Sequence, residues 1–595
     1  MCGILGVSPK IEISNFNNAL NTLSKRGPDA KSVLELNNCL FGHTRLSIID
    51  LSTNANQPMQ DISKRYTIIF NGEVYNYKEL KKTLSKEHNE FKTQSDTEVI
   101  LIGFKYHGID FFKKLHGMFA FSIHDSLTEE IILVRDRLGI KPLLYFANSE
   151  QLCFASELRP FRYINNKFKE IDENSIFDLL QSGSISQPNT ILKFVKQLPP
   201  GCLLVWRNNK SVLVKNYISI NCAINEDITY EESKIRMRSL LDHATKLHMI
   251  SDVEVGCFLS AGIDSTAVLG LMQGQTKRPI HAFSLGFENI SDNHNETLIA
   301  ECTAKKIGAN FTRKIVTDDE ILESFNDFVE SLDQPSIDGF NTYLISKEAS
   351  KYVKVILTGL GGDELFGGYP HFKSIIDNRK KSVNFVDKIL SKLYKYFPNR
   401  YTKASKSRVE NISTALSLYR SYFNINEISK ILNFKRIYDI DNTLIDVNSS
   451  ISYLEVRKYL LNTLLRDSDV IGMWHSLELR PILLDQDVVD FALSIPDHYK
   501  IKDQKLKSIF IDTVSDILPI DVINRQKTGF ELPIIKWMNG ILNTKILQLW
   551  STPSARNTFN ADFLIKIKKK TIEKKLEQKD WILAILVAWL EKHRN

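Results

Sequence analysis

The sequence predicts an α/β protein with two parts: a sandwich of antiparallel sheets flanked by helices, then a doubly wound parallel sheet with a helical C-terminal part. Three observations support this prediction. The first two hundred residues consist mainly of short apolar runs separated by turn signals. From Thr229 onward, helical patterns alternate with short β-rich runs, as is typical of parallel sheets. After Tyr369 the pattern is almost wholly helical.

Length and composition indicate an ordinary globular protein. The chain has 595 residues, of which 43% are hydrophobic and 25% charged. At roughly 150 residues per domain, two to four folding units are expected, each large enough to bury a core. This excludes a disordered chain, a collagen and a small disulfide scaffold. The net charge of +7 comes from 77 basic and 70 acidic residues, and so close a balance does not predict a nucleic-acid partner.

The cysteines and the apolar runs predict a cytoplasmic protein without a membrane span. The seven cysteines include no CxxC pair, and their odd number and wide spacing favour a reducing compartment. The N-terminal sequence MCGILGVSPK lacks the features of a signal peptide. The longest apolar run, WILAILVAWL at 581–590, is too short to cross a bilayer and predicts a buried helix.

The N-terminal part alternates short strands with a few helices. Apolar runs predict strands at residues 2–7, 66–70, 118–123, 131–134, 143–146 and 152–155. Helical periodicity is found at residues 15–24, 76–84 and 97–107. The dipeptide Asn71-Gly72 directly follows the strand at 66–70 and predicts a turn.

A change of pattern near LPPG at 198–201 predicts a domain boundary. We expect a first domain at 2–205, a polar linker at 206–228 and a second domain at 229–595. In the second domain, strands are predicted at residues 254–259, 280–287, 311–316 and 353–357. Helices are predicted between them at residues 231–248, 265–272 and 296–307.

Cys2 directly follows the initiator methionine. Removal of Met1 would leave one residue carrying both a thiol and a free α-amine. An α-amine has a pKa of about 8, so it can act as the base for the thiol beside it. Cys2 is therefore a candidate nucleophile, and the alternative is a chance cysteine at this position.

Four further motifs follow Cys2 in order: RGPD at 26–29, HTRLS at 43–47, NGEVYN at 71–76 and SD at 95–96. Together they resemble the class-II glutamine amidotransferases, whose N-terminal cysteine attacks the side-chain amide of glutamine. The resemblance implies an N-terminal-nucleophile fold. It also implies these roles: Cys2 as nucleophile, Asn71 and Gly72 as oxyanion hole, Arg45 as partner of the substrate α-carboxylate, and Glu73 and Asp96 as partners of its amino group. Individually, Asn-Gly is commonly a turn and Asp96 a helix cap.

A second candidate site begins at FLSAGIDS, residues 258–265, between an apolar strand and a helix. Small residues at a helix N-terminus allow backbone N–H groups to approach an anion. The Walker pattern is absent because the chain has no Gly-Lys dipeptide. The segment resembles the SGGxDS loop of ATP pyrophosphatases, with Ala261 where the pattern has glycine. If this position requires a positive φ, alanine costs about 1 kcal/mol.

A glycine-rich passage, TGLGGDELFGGY at 358–369, follows another predicted strand. Asp363 in this passage could join Asp264 around Mg²⁺ that bridges ATP phosphates. The expected metal ligands are thus Asp264 and Asp363.

The order of the two sites resembles the glutamine-dependent asparagine synthetases. The resemblance continues through LLRDSD at 464–469, SLELRP at 476–481, LD at 484–485 and RQKTGF at 525–530. It implies that Lys527 contacts phosphates and the acyl-adenylate, where the alternative is a surface charge. It implies ATP contacts at Leu259, Ser260, Ala261, Gly262, Ile263, Asp264, Ser265, Leu285, Thr358 and Gly359.

The implied reaction activates a carboxylate as its acyl-adenylate, and ammonia from glutamine then displaces AMP. The substrates would be glutamine, ATP and aspartate or another carboxylate. Dimers are common in this family, so a homodimer is compatible with the resemblance.

Leu360 departs from the family, which commonly has an acid at this position. Chains with a GLGGDE loop resemble a bacterial branch that includes enzymes amidating uronic acids in surface glycans. Three functions therefore remain open: asparagine synthesis, amidation of another carboxylate such as a sugar acid, and a non-catalytic relative.

Overall fold

The computed structural model describes residues 2–88, 90–210, 212–288, 296–379, 412–435, 450–525 and 532–593. Within these residues the strands form three sheets. The strands are β1 (Cys2–Ser8), β2 (Ala30–Glu35), β3 (Leu40–Arg45), β4 (Met59–Gln60), β5 (Tyr66–Val74), β6 (Gly117–Asp125), β7 (Glu130–Arg135), β8 (Leu144–Ala147), β9 (Leu152–Ala155), β10 (Lys196–Gln197), β11 (Cys202–Trp206), β12 (Leu213–Asn216), β13 (Val255–Phe258), β14 (His281–Phe287), β15 (Asn310–Val316), β16 (Val355–Thr358) and β17 (Glu478–Pro481).

The first two sheets are antiparallel, as predicted. Their strand orders are β10-β8-β9-β1-β3-β2 and β12-β11-β7-β6-β5-β4. Strand β1 lies between β9 and β3, with Cys2 opposite Arg45. Strand β12 lies in the stretch assigned to the linker and extends the second sheet by pairing with β11.

The predicted turn at Asn71-Gly72 is wrong. Both residues lie inside β5, where Asn71 pairs with Ala120 and Gly72 with Phe119 of β6. The glycine is needed here for close approach: at Gly72 φ is 149°, and a Cβ would lie 2.1 Å from the Met118 carbonyl oxygen. Backbone pairing across β5 and β6 therefore overrides the turn preference of this dipeptide.

The third sheet is parallel, with strand order β15-β14-β13-β16-β17. The chain proceeds outward from β13 to β15, then returns to place β16 on the other side of β13. The sheet thus has a switch point between β13 and β16, where ligands bind in open α/β sheets. Strand β17 was not predicted, because its four residues ELRP contain two charges and give no apolar run.

Helices cover the sheets and dominate the C-terminal part. The α-helices are Ile13–Asn21, Tyr77–Leu84, Asp96–His107, Phe161–Ile164, Glu173–Ser182, Tyr230–His248, Ile263–Gly274, Glu296–Ile307, Asp318–Ser331, Phe340–Ala349, Gly362–Phe366, Pro370–Arg379, Ile412–Tyr419, Ile425–Ile431, Ile451–Glu455, Arg466–Trp474, Gln486–Ser494, Asp497–Lys500, Ser508–Thr513, Ile520–Ile523, Ile534–Asn539, Asn543–Leu549, Pro553–Thr558, Ala561–Ile572 and Asp580–His593. Short 3₁₀ helices occur at Thr53–Ala55, Gly108–Lys114, Asn166–Lys169 and Ile482–Leu484, and a π-helix at Val456–Leu465.

The last helix, Asp580–His593, is buried along most of its length, as its apolar run predicts. Among the described residues, no helix is both long and apolar enough to cross a membrane. This helix packs in a hydrophobic core that also includes Leu5 and Val7 of β1. The Trp589 indole donates to the Leu332 carbonyl (3.0 Å), and the Arg162 guanidinium lies 5.2 Å from the Trp589 ring centre. One continuous core therefore joins the two halves of the molecule.

Candidate active site

Cys2 begins the central strand of the first sheet and faces β5 of the second. Its backbone nitrogen donates to the Asn71 Oδ1 (3.0 Å). The residue is buried, and burial raises the pKa of the thiol, an effect that the N-terminal amine and Arg45 partly offset. After removal of Met1 this same nitrogen would be the α-amine, so Asn71 is placed to orient it.

Asn71 also has an unused donor. Its Nδ2 is buried and has no hydrogen-bond partner among the described residues. A buried amide donor without a partner costs free energy, of the order of 1–3 kcal/mol, unless a ligand satisfies it. The amide is therefore available to donate to an oxyanion that forms beside Cys2.

Arg45, opposite Cys2, is bonded only through neutral groups. Its Nη1 donates to the Ser52 carbonyl (2.7 Å) and to Asn56 Oδ1 (2.8 Å), and its Nη2 donates to the Asp50 carbonyl. Within the described part of the chain, no carboxylate lies within ion-pair distance of it. These carbonyls fix the guanidinium in place without a direct carboxylate contact, which suits a ligand carboxylate.

Glu73 and Asp96 are two buried carboxylates: Glu73 interacts with the Cys2 thiol and with Asp96, and we call these surroundings the Cys2 pocket. The Asp96 carboxylate accepts from the Val74 N–H (3.0 Å), and burial raises its pKa to about 6. Glu73 Oε1 lies 3.2 Å from Arg480 Nη2, while its Oε2 has no hydrogen-bond partner among the residues described. Burial, and then the charge of Glu478, raise the pKa of Glu73. An ammonium group entering this pocket would be attracted by both acids.

The second predicted loop connects β13 to the helix Ile263–Gly274. The Ser260 N–H donates to Ser265 Oγ (3.0 Å), and the Gly262 N–H donates to Ser260 Oγ (3.1 Å). These bonds fold the loop tightly over the start of the helix. Ala261 does not adopt a positive φ, so alanine causes no backbone strain at this position.

Asp264 and Asp363 meet around one lysine. Lys507 Nζ lies 2.5 Å from Asp264 Oδ2 and 2.6 Å from Asp363 Oδ1. Burial alone would lower the pKa of Lys507, but the two carboxylates raise it. Glycines make room for this cluster: a Cβ at Gly362 would lie 2.6 Å from Asp264 Cγ, and one at Gly368 would lie 1.8 Å from Asp363 Oδ1.

The other predicted ATP contacts lie around this cluster. Thr358 ends β16, and a Cβ at the following Gly359 would lie 2.8 Å from Asp264 Cβ. Leu285 is buried in β14, and Leu259 donates its N–H to the carbonyl of Phe283 (2.8 Å) in the same strand. The structure thus places the predicted residues 259–265, 285 and 358–359 at one edge of the parallel sheet.

Sequence reasoning missed Lys507 and selected Lys527, which lies outside the described residues. Two carboxylates beside a predicted phosphate loop require a cation nearby. That requirement was the available sequence signal for Lys507. It could not select a position, because the chain has 77 lysines and arginines.

A small cavity lies between the two sites, where the halves of the molecule meet. It is lined by Ile140, Lys141, Thr358, Leu360, Leu465, Ser468, Asp469, Leu479 and Pro481. Buried charges connect it to the nucleophile. Lys141 Nζ lies 3.3 Å from Asp469 Oδ1, Arg26 Nη1 lies 2.9 Å from Asp469 Oδ2, and Arg26 Nε donates to the Cys2 carbonyl (3.0 Å).

Comparisons with known proteins match both halves. The family model described as asparagine synthase matches residues 236–591, and the glutamine amidotransferase domain matches residues 1–218. Asparagine synthetase (glutamine-hydrolyzing) 1 of Bacillus subtilis (strain 168) is 29% identical over 622 residues, which cover 99% of this chain and 96% of that protein. Amidase chyE of Penicillium rubens is 25% identical, covering 96% of this chain and 92% of its own. The chain belongs to the asparagine synthase family and is a glutamine-dependent carbon–nitrogen ligase.

Proposed function

We propose that this protein is a glutamine-dependent asparagine synthetase. It would convert ATP, aspartate, glutamine and water into AMP, pyrophosphate, asparagine and glutamate. The observation that carries the glutaminase half of this proposal is the contact of the Cys2 nitrogen with Asn71 Oδ1 (3.0 Å), beside an amide donor without a partner. Relatives of similar length that are named asparagine synthetases support asparagine as the product.

In the first half, Cys2 is the nucleophile. Its thiol passes a proton to the α-amine released by removal of Met1, and the sulfur attacks the side-chain carbonyl carbon of glutamine. Asn71 Nδ2 and the Gly72 N–H stabilise the developing oxyanion. Arg45 binds the α-carboxylate of glutamine, and Glu73 and Asp96 bind its ammonium group. Ammonia leaves, and water hydrolyses the thioester to glutamate.

In the second half, the loop at 259–265 binds the phosphates of ATP through backbone N–H groups and the hydroxyls of Ser260 and Ser265. The acceptor carboxylate attacks the α-phosphorus, and pyrophosphate leaves. Ammonia then displaces AMP from the acyl-adenylate. Lys507 pairs with the carboxylates of Asp264 and Asp363 in this structure. When ATP binds, the same positive charge is placed to pair with the phosphates.

Asp264 and Asp363 fit a divalent cation, because they bring two carboxylates, the oxygen donors that Mg²⁺ prefers, to the phosphate loop. We propose that these two residues bind Mg²⁺. When bound with ATP, it would neutralise charge on the phosphate oxygens.

A second acceptor is favoured by one residue. Leu360 lines the cavity between the sites and offers neither a base nor a polar contact to an amino acid. Amidation of a different carboxylate, such as a uronic acid in a surface glycan, is therefore the alternative. Both functions use the same two half-reactions and differ only in the acceptor.

The glutaminase half is tested with a Cys2→Ala variant. We expect wild-type protein to hydrolyse glutamine and the variant to lose this activity by roughly 10⁴-fold or more, because the variant lacks the sulfur that attacks the amide. Intact-mass measurement of wild-type protein should show that Met1 is absent. Equal hydrolysis by the variant, or retention of Met1 in active protein, would contradict the proposal.

The acceptor is tested by pyrophosphate release with Mg-ATP and glutamine, with and without aspartate. Dependence on aspartate, with asparagine as product, supports asparagine synthesis. Pyrophosphate release that depends on a uronic acid but not on aspartate supports the alternative. Ammonium chloride in place of glutamine serves as the control, since it supplies nitrogen without Cys2.

A further inference from the structure

Arg480 belongs to the parallel sheet but reaches the pocket of Cys2. It lies in β17 and is fully buried. Its Nη2 lies 3.2 Å from Glu73 Oε1, and its Nε donates to Glu478 Oε1 (2.5 Å). Its Nη1 donates to the carbonyls of His248 and Ile250, each at 2.7 Å. Glu478 and the two carbonyls fix the guanidinium, so the group that meets Glu73 has one orientation.

The charges around Glu73 do not balance. Glu73, Asp96 and Glu478 are three buried carboxylates, whereas two positive charges act on Glu73: Arg480, which contacts it, and the N-terminal amine. One further positive charge entering the pocket would improve the balance, and the Glu73 oxygen that is not facing Arg480 has no hydrogen bond within the described structure. The ammonium group of glutamine carries that charge.

We propose that Arg480 is a positioning residue for glutamine: its guanidinium forms an ion pair with the Glu73 carboxylate and holds it in place, so that the synthetase half completes the glutamine pocket. This inference rests on the proposed function, in which Glu73 binds the substrate ammonium. Arg480 itself does not contact the reacting atoms.

The electrostatics of the pocket agree with this geometry. Burial raises the pKa of Glu73, the Glu478 charge raises it further, and Arg480 lowers it. Burial would also raise the pKa of Glu478, but Arg480 brings it to about 2. The other titratable groups that interact with Glu73 are the N-terminal amine, the Cys2 thiol, Asp96, Tyr75 and Tyr77.

The test measures glutamine binding to the full chain in a Cys2→Ala background, where no hydrolysis occurs. Calorimetric titrations from pH 5 to pH 9 give the pH at which affinity falls to half its plateau. We expect Arg480→Gln to move this midpoint upward by about 1 to 3 pH units, because Glu73 loses its cation. Glu478→Gln keeps the acceptor for Arg480 but removes a negative charge, so it should move the midpoint downward.

Two comparisons separate positioning from a structural effect. Arg480→Lys keeps the charge and should restore the midpoint towards that of the parent. Arg137→Gln removes another arginine that crosses between the halves, where its Nη2 pairs with Asp490 Oδ1 (2.5 Å), and should leave the midpoint unchanged. Shifts of the same size and sign in Arg137→Gln and Arg480→Gln would overturn the inference.

An unchanged midpoint in a folded Arg480→Gln variant, with thermal stability that still rises on addition of Mg-ATP, would also overturn it. If Arg480→Gln does not fold, the isosteric Glu478→Gln variant decides, and an unchanged or raised midpoint there refutes the proposal. Failure of the Cys2→Ala parent to bind glutamine at any pH would refute the proposed function and this inference together. Normal binding by the parent without the two opposite shifts refutes the inference alone.

Discussion

The two sites of this molecule are built in different ways. The residues around Cys2 lie within or beside strands of antiparallel sheets, and inter-strand pairing fixes where their side chains point. The residues around Asp264 lie in loops at the end of parallel strands, and one lysine pairs with two carboxylates there. The first site is therefore shaped by the backbone, whereas the second depends on a balance of charge.

Lys507→Met tests the site that depends on charge and should have the largest effect. Without the lysine, two partly buried carboxylates repel each other and the phosphates lose a partner. We expect pyrophosphate formation to fall by about 100-fold or more. We also expect the free energy of unfolding to fall by about 3–5 kcal/mol without Mg²⁺, and by less with it. Glutamine hydrolysis should change little.

Lys500→Met is the matched control, because Lys500 is buried nearby but its Nζ donates to Ser452 Oγ (3.1 Å) and its ion-pair partner is Asp497 (3.7 Å), not Asp264 or Asp363. This variant should lose stability while keeping its KM for ATP. If both lysine variants lost pyrophosphate formation equally, the charge cluster would have no special role.

Gly72→Ala tests the site shaped by the backbone. A methyl group would collide with the Met118 carbonyl oxygen at 2.1 Å, on a backbone with φ of 149°. We expect unfolding free energy to fall by about 3 kcal/mol or more, together with loss of glutamine hydrolysis. Gly108→Ala is the comparison, since φ is 60° there and no atom lies within 4 Å of the added Cβ. It should cost about 1 kcal/mol and leave hydrolysis intact.

His116→Asn tests the contact between the two regions. His116 Nε2 lies 2.6 Å from Asp485 Oδ2, and although burial would lower the pKa of His116, Asp485 raises it above 6.5. The protonated pair therefore stabilises the fold below pH 6.5, and this contribution is lost as the pH rises through the raised pKa.

Urea unfolding of wild-type protein and His116→Asn at several pH values checks this expectation. The difference in unfolding free energy should be about 1–2 kcal/mol at pH 6 and smaller at pH 9. Using the difference between the two proteins removes the contribution of titrating groups that do not interact with His116. A difference that grows with pH would contradict the assigned direction of the shift.

Ala261→Gly should have the smallest effect. Because Ala261 does not adopt a positive φ, glycine relieves no strain there. We expect a loss of about 0.5–1 kcal/mol from greater freedom of the unfolded chain, with unchanged KM for ATP. Faster pyrophosphate formation in this variant would show that alanine at this position of the loop slows the reaction.

Sequence reasoning was most accurate for residues that belong to a recognisable chemical motif and lie in or beside a strand. Cys2 lies in a predicted strand, Asn71 directly follows one and Arg45 belongs to the HTRLS motif, and the structure brings the three together. The strand that carries Arg480 was not predicted, because β17 is short and charged and is recognisable only by its pairing with β16. Lys507 was missed for a related reason: its partners, Asp264 and Asp363, lie far away in the chain.

The shared core of the two halves bears on how the protein can be dissected. Leu5 and Val7 pack in the same apolar cluster as Trp589 and Leu590, at opposite ends of the polypeptide. If the two halves were expressed as separate fragments, each would expose to water the apolar surface that it buries against the other. Such fragments would be prone to aggregate. Differential scanning calorimetry of the intact chain should accordingly record a single cooperative endotherm.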